Sequence, residues 1–148
     1  MQTELDREWP PLLEGEYLIE PTDELLWRQV NPRFFHDGII GELAFRAREE
    51  EQFQLSVSRN SKVSAQQAYE HHTCVVGRES AGVAALSAIE VHQAGSRAVD
   101  DFETQTSEPP TPAHAYVDCR LMTKAERRDF REECAAVATD RGLMYQPE

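Results

Sequence analysis

Two adjacent histidines and a nearby cysteine, His71, His72 and Cys74, have the side-chain types that could bind a metal ion. Imidazole and thiolate groups are the usual zinc ligands, and several must converge on one ion to hold it. If a helix begins at Ser64, His72 lies on its apolar face while His71 points about 100° away. The other histidines and cysteines show no recognised ligand spacing. We therefore expect the pair to be structural and the chain to hold no metal.

A row of polar side chains alternates with apolar ones along residues 114–120. Because successive side chains of a strand point to opposite faces, His114, Tyr116, Asp118 and Arg120 would share one face. Such a row could perform general acid–base catalysis if it lined a groove. A strand with one solvated face would show the same alternation, and we favour that interpretation. The sequence leaves open whether the row lines a pocket or faces solvent.

A third group of residues, spread along the chain, occurs in the order arginine, serine, glutamate. Arg28 lies in LLWRQV, Ser56 and Ser58 lie in LSVSR, and Glu103 lies in DFE. This set resembles the R-S-E class of ADP-ribosyltransferases, in which the arginine holds the cofactor and the glutamate is catalytic. The resemblance implies NAD as cofactor and transfer of its ADP-ribosyl group. We keep this enzyme as the alternative to a simpler interpretation, in which these are ordinary surface and ion-pairing side chains.

The charge balance of the chain limits its partners. The 148 residues include 15 Lys and Arg against 27 Asp and Glu, which gives a formal net charge of -12. A field of this sign repels nucleic-acid phosphates and acidic membrane surfaces. It is compatible with a protein partner, especially a basic one, and it leaves a homo-oligomer open.

The location of the protein is predicted from segments that the sequence lacks. The first residues carry no basic region followed by an apolar run, and no stretch approaches the roughly 18 apolar residues of a membrane span. The three cysteines are widely spaced and form no CxxC pair. We therefore expect a soluble, cytoplasmic protein of bacterial type with reduced cysteines.

Helix starts are indicated by a recurring local pattern. Ser64 with Gln67, Ser87 with Glu90, and Thr123 with Glu126 have the S/T-x-x-E/Q spacing of a capping box. Glycines at positions 95 and 142 would close the second and third helices. We expect the last helix to span residues 124–141.

Strands are predicted from short apolar or alternating runs. Residues 25–30 read as a strand that ends in a turn, and residues 42–47 and 53–58 read as an antiparallel hairpin. Residues 82–86 and 98–102 would be strands on either side of the second helix. Residues 104–112 contain three prolines and should form a loop before the strand at 114–119.

These elements predict an α+β fold. We expect a mainly antiparallel sheet of about five strands, with about three helices packed on one face. Residues 1–23, rich in proline and acids but with several large apolar groups, would form an extended N-terminal arm. Residues 24–148 would form a single compact domain.

For function, the sequence favours a non-catalytic, acidic protein-interaction module, a small subunit or inhibitor-like partner in a cytosolic complex. The acidic charge, the apolar groups of the arm and the lack of a convincing catalytic set support it. Trp9, Tyr17 and Trp27 are the expected partner-binding anchors, because binding energy concentrates in large, rigid apolar side chains. Truncating the arm should then abolish complex formation.

Overall fold

The computed structural model describes residues 7–147 of the chain. Its centre is a six-stranded sheet in the order β1-β7-β8-β5-β2-β6, in which every neighbouring pair is antiparallel. A separate small hairpin pairs β3 with β4. The strands are β1 (Tyr17–Leu18), β2 (Leu25–Val30), β3 (Phe35–His36), β4 (Ile39–Ile40), β5 (Gln54–Arg59), β6 (Gly82–Ser87), β7 (Ala98–Asp100) and β8 (His114–Asp118).

Three α-helices accompany the sheet in the described part of the chain, α1 (Ala65–Glu70), α2 (Ala88–Gln93) and α3 (Lys124–Arg141). Each begins with the predicted capping box, in which the cap hydroxyl accepts from the third backbone N–H and the third side chain returns to the cap. A π-helical turn (His71–Val75) extends α1. No helix within residues 7–147 has the length and apolar content to cross a bilayer.

The sheet buries both of its faces. On one face, alternate residues such as Leu26 and Leu86 pack against α2 and against Phe130 and Cys134 of α3. On the other face, residues such as Trp27 pack against α1. The α+β class and the mainly antiparallel sheet are confirmed, with six strands and with α1 on the face opposite α2 and α3.

The predicted hairpin of residues 42–47 with 53–58 is wrong in its first half. The chain forms a 3₁₀ turn at Glu42–Phe45, in which the consecutive residues Ala44 and Phe45 are both buried and Leu43 is exposed. A strand would have sent neighbouring side chains to opposite faces. The second half, β5, pairs instead with β2 and β8, so both of its edges are occupied.

The predicted step from strand through helix to strand connects distant parts of the sheet. β6 lies at one end of the sheet, and β7 lies next to the other end. The intervening α2 buries Ala88 and Val91 in the core shared with α3. The connection therefore crosses the face of the sheet.

The N-terminal arm lies against the domain itself. Residues 1–6 of the predicted arm are outside the described residues, while residues 17–18 pair with β7 as β1, the last strand of the sheet. The backbone N–H of Ile19 continues this pairing by donating to the carbonyl of Ala98 at 2.9 Å. The arm thus ends as an edge strand.

A cluster of ion pairs joins three segments of the chain, at the start of β2 and at the ends of β5 and β7. Arg59 donates to Glu24 at 2.7 Å and to Asp100 at 2.9 Å, and Lys62 donates to the same Asp100 oxygen at 2.9 Å. The hydrogen bond from Arg59 lowers the pKa of Glu24. Burial acts in the opposite direction at Asp100, but hydrogen bonds from Lys62, from the Phe102 N–H and from Arg59 keep its pKa below the ordinary value.

This cluster predicts a pH-dependent contribution to stability. A carboxylate whose pKa is lower in the folded than in the unfolded chain stabilises the folded state. This stabilisation is complete above the unfolded pKa of about 4, and it is lost as the pH falls through the folded pKa. We expect Arg59→Gln to reduce the free energy of unfolding by about 2 kcal/mol at pH 7 and by much less near pH 3. Urea titrations at the two pH values measure the difference.

The matched control is Arg128→Gln, which removes an exposed i,i+4 pair with Glu132 on α3. We expect its effect to stay within about 0.5 kcal/mol at both pH values. An Arg59→Gln deficit of the same size at pH 7 and pH 3 would contradict the assignment of this stabilisation to the two carboxylates.

Candidate functional site

The polar row on β8 is buried, so the prediction of a solvated face for it is wrong. His114, Tyr116 and Asp118 are 8%, 1% and 0% exposed. The arm contacts the row at Tyr116, whose hydroxyl donates to Glu16 at 3.1 Å. Burial raises the pKa of Tyr116, so its hydroxyl keeps its proton and serves as a donor. Local alternation could not reveal this contact, since the arm is about a hundred residues away in sequence.

Asp118 is the centre of the row. One carboxylate oxygen accepts from Arg97, immediately before β7, at 3.1 Å, and from Arg120 at 2.7 Å. The other oxygen accepts from the side chain and the backbone N–H of Arg120 at 2.9 and 3.1 Å. A buried charge is tolerated only when it is paired and hydrogen-bonded, and these contacts meet that need. The carboxylate is therefore occupied by internal contacts.

His114 also has an internal partner. Its Nδ1 lies 2.6 Å from a carboxylate oxygen of Asp101, in the turn that follows β7. Both side chains are about nine-tenths buried. The acid–base groups of the row are thus occupied by partners inside the protein, namely Asp101 for His114, Glu16 for Tyr116, and Arg97 and Arg120 for Asp118.

Two arginines attach the arm to the domain, Arg7 from the arm and Arg97 from the domain. The fully buried Arg7 side chain donates to the Gly95 carbonyl at 2.7 Å and pairs with Glu126 at the start of α3 at 3.4 Å. Arg97 donates to the Pro10 carbonyl at 3.0 Å. The Trp9 ring lies near both guanidiniums, 5.8 Å from Arg7 and 4.8 Å from Arg97. Trp9 is therefore part of the attachment.

The other two predicted anchors have opposite environments. Trp27 is 6% exposed and donates its indole N–H to the Val63 carbonyl at 2.8 Å, so it is a core residue here. Tyr17 is 56% exposed on β1. Of the predicted anchors, Tyr17 is the one with a mainly exposed side chain.

Tyr17 belongs to a larger group of exposed apolar side chains, which we call the β1 strip. These side chains come from the arm and from the turn after β7. The two segments are neighbours because β7 pairs with β1. Sequence analysis named Tyr17 as an anchor, counted the leucines among the apolar groups of the arm, and assigned residue 102 to a strand. The β1 strip comprises Leu12, Leu13, Tyr17, Leu18 and Phe102, which are 36% to 66% exposed.

Close contacts hold the two segments of the β1 strip together. The Tyr17 hydroxyl donates to Glu103 at 3.2 Å, and this carboxylate raises the pKa of Tyr17 by disfavouring the phenolate. Gly15 turns with φ of 89°, and a Cβ at that position would come within 2.9 Å of Thr104. Glycine is therefore required where the arm meets the turn.

Acidic residues surround the β1 strip. Residues 11–23 and 99–110 contain eight acids and no lysine or arginine. Asp100 and Asp101 are used by the ion pairs described above. In residues 7–147, the other six take part in no ion pair with Lys, Arg or His: Glu14, Glu16, Glu20, Asp23, Glu103 and Glu108.

The four residues of the transferase resemblance do not surround one cavity. Arg28 points to the α2–α3 face, where it donates to the carbonyls of Ala44 and Ser56 at 2.8 and 3.0 Å, and burial lowers its pKa to about 10. The side chains of Ser56 and Ser58 alternate with core residues of β5 and point to the opposite face. Glu103 lies at the β1 edge. Use of NAD stays an untested prediction.

The histidines at the end of α1 lie in the π-helical turn. His71 and His72 are both half-buried, and Cys74 is exposed. Burial, with a contribution from Arg78, lowers the pKa of His72 and favours the neutral ring. Within the described residues, no three side chains of His, Cys, Asp or Glu gather as metal ligands would.

A second surface feature lies beside the small β3–β4 hairpin. A groove of about 420 Å³ opens there, with Phe34, Ile39 and Leu43 as its apolar lining and Arg33 and Glu42 among its polar residues. Its lining carries both signs of charge, whereas the two segments that form the β1 strip contain acids and no lysine or arginine. Sequence analysis missed the groove because it assigned residues 42–47 to a strand.

Comparison of the chain with protein-family models, with curated proteins and with solved structures gives no match. Functional inference therefore depends on the geometry described above. That geometry consists of a covered polar row whose groups are internally bonded and an exposed apolar strip in an acidic environment.

We predict that Asp118→Asn strongly destabilises the fold. The substitution preserves the shape of the side chain but leaves Arg97 and Arg120 without their anionic partner, and breaking a buried ion pair costs about 3–5 kcal/mol. Urea unfolding at pH 7 measures the loss.

Asp129→Asn is the matched control, because Asp129 is exposed on α3. Its effect should stay within about 0.5 kcal/mol. If the two substitutions reduced stability equally, the buried carboxylate would not hold the arm and β8 together as described.

Proposed function

We propose that this chain is a non-catalytic, acidic protein-interaction module, a small subunit or inhibitor-like partner within a protein complex. The observation that supports this most directly is the β1 strip, five exposed large apolar side chains on the arm and on the turn after β7. Single exposed apolar residues are ordinary, but a group of them rimmed by polar residues is typical of a binding surface.

The electrostatics of the β1 strip favour a basic protein as the partner. The two segments that form the strip carry eight acids and no lysine or arginine, and six of the acids have no internal counter-ion among the described residues. Complementary charge accelerates association and selects the partner, while the buried apolar groups supply most of the affinity. The same charge disfavours nucleic acid.

The interior of the domain supports a binding role over a catalytic one. The acid–base side chains His114, Tyr116 and Asp118 are buried and have internal partners, and the partner of Tyr116 is Glu16 of the arm. We propose a cytoplasmic location for the complex, because Cys119 and Cys134 are buried without forming a disulfide and disulfides are rare in the cytosol.

Leu13→Asp tests the proposal. Leu13 is the most exposed member of the β1 strip, at 66%, so the substitution should leave the fold intact. A charge placed at an apolar contact should weaken binding to the partner by about tenfold or more. Affinity capture with the full chain from its native cells, followed by quantitative mass spectrometry and titration of the purified partner, measures the change.

Val75→Asp is the matched control, since Val75 is 59% exposed but lies in the turn after α1. It adds the same charge and should retain every partner. Equal retention of all partners by the two variants would refute the proposal, as would capture of no protein by the unaltered chain. A point substitution is a more specific test than deletion of residues 1–23, because the deletion would also remove the contact of the arm with Tyr116.

A further inference from the structure

Within residues 7–147, no strand lies beside the outer edge of β1. β1 is the last strand of the six-stranded sheet, and β7 occupies its inner edge. Proteins protect such an edge by keeping the strand very short, as with the two residues of β1, or with lysines, bulges or a covering segment, because an open edge is a template for another strand. Residues 11–23 contain no lysine, and the exposed Tyr17 and Leu18 form the edge.

The register of β1 determines which backbone groups face outward. Ile19 donates its N–H to Ala98 across the ladder at 2.9 Å. In an antiparallel pair, successive residues alternate between bonding to the neighbouring strand and pointing away from it. Leu18, opposite Val99, is therefore in the position whose N–H and C=O point away from β7.

We propose that β1 binds an extended segment of another protein by strand addition, and that apolar residues alternate with lysine or arginine in this segment. The inference rests on the proposed function and adds the binding mode and the chemistry of the partner. The added strand bonds to the outward backbone groups of Leu18 and places its apolar side chains beside the members of the β1 strip that lie on the same face of the sheet. Its basic side chains meet the acids that lack an internal counter-ion, among them Glu20 and Glu103.

Charge distinguishes this occupant from a second copy of the chain. Two β1 edges placed side by side would bring the same acidic segments together, and like charges across an interface are repulsive. A basic segment converts that repulsion into attraction. Main-chain hydrogen bonds then supply affinity, and the alternating side chains supply specificity, as in other cases of strand addition.

Leu18→Pro tests the main-chain contact. Proline removes the outward N–H, and an edge strand tolerates proline where that N–H faces solvent. Leu18→Ala is the matched control, because it shortens the side chain and retains the N–H. The probe is a short fluorescein-labelled peptide of alternating valine and lysine, titrated with the full chain and followed by fluorescence anisotropy.

We expect the peptide to bind the unaltered chain, and its counterpart of alternating valine and glutamate to fail. Leu18→Pro should weaken binding by about tenfold, and Leu18→Ala should weaken it by less. A valine–lysine peptide with N-methyl groups on alternate backbone nitrogens keeps the test valid even if Leu18→Pro destabilises the fold. It should also bind about tenfold more weakly, because its main-chain donors are blocked.

The outcomes separate this inference from the proposed function. Strand addition is overturned if the methylated and unmethylated peptides bind equally well, or if the valine–lysine peptide does not bind to the unaltered chain. The proposed function is decided separately, by the comparison of Leu13→Asp with Val75→Asp. Sedimentation is measured on the same samples. A stable dimer of the unaltered chain that Leu18→Pro disperses would assign the edge to a second copy and overturn the basic partner.

Discussion

The buried carboxylate of Asp118 is the interaction on which the rest of this structure depends. A charge without solvent contact must be paired, and Asp118 is paired with guanidiniums from two directions, Arg97 and Arg120. Arg97 in turn donates to the Pro10 carbonyl and lies beside the Trp9 ring. The pairing of this one acid is thus linked, through Arg97, to the attachment of the N-terminal arm.

The position of the arm determines which surfaces are left for function. Because the arm contacts β8 and then pairs with β7, its own apolar residues are divided between an attached part near Trp9 and an exposed part near Tyr17. Polar groups capable of acid–base work are used to attach the arm, while the exposed apolar groups form the sheet edge. On this division we base the proposal of binding at the β1 edge.

Sequence reasoning succeeded where a few neighbouring residues decide the structure. The capping boxes at Ser64, Ser87 and Thr123 were predictable because each pairs a hydroxyl with a side chain one turn later. It failed at residues 42–47, where alternation suggested a strand but the chain turns after Gly41 and buries Ala44 and Phe45 together. There, packing against the sheet and α3 outweighs local pattern.

By itself, the sequence determined the helix starts, the β2, β6 and β8 strands, the length of α3 and the excess of acid, because these follow from hydrogen bonds between near neighbours and from composition. Only the tertiary structure decided whether the polar row is wet or covered, that Trp27 is core, and that Leu13, Leu18 and Phe102 share an exposed edge with Tyr17. Those outcomes depend on contacts between segments far apart in the chain, such as Glu16 with Tyr116. The spacing of neighbouring residues does not indicate which distant segment provides the partner of a buried polar group.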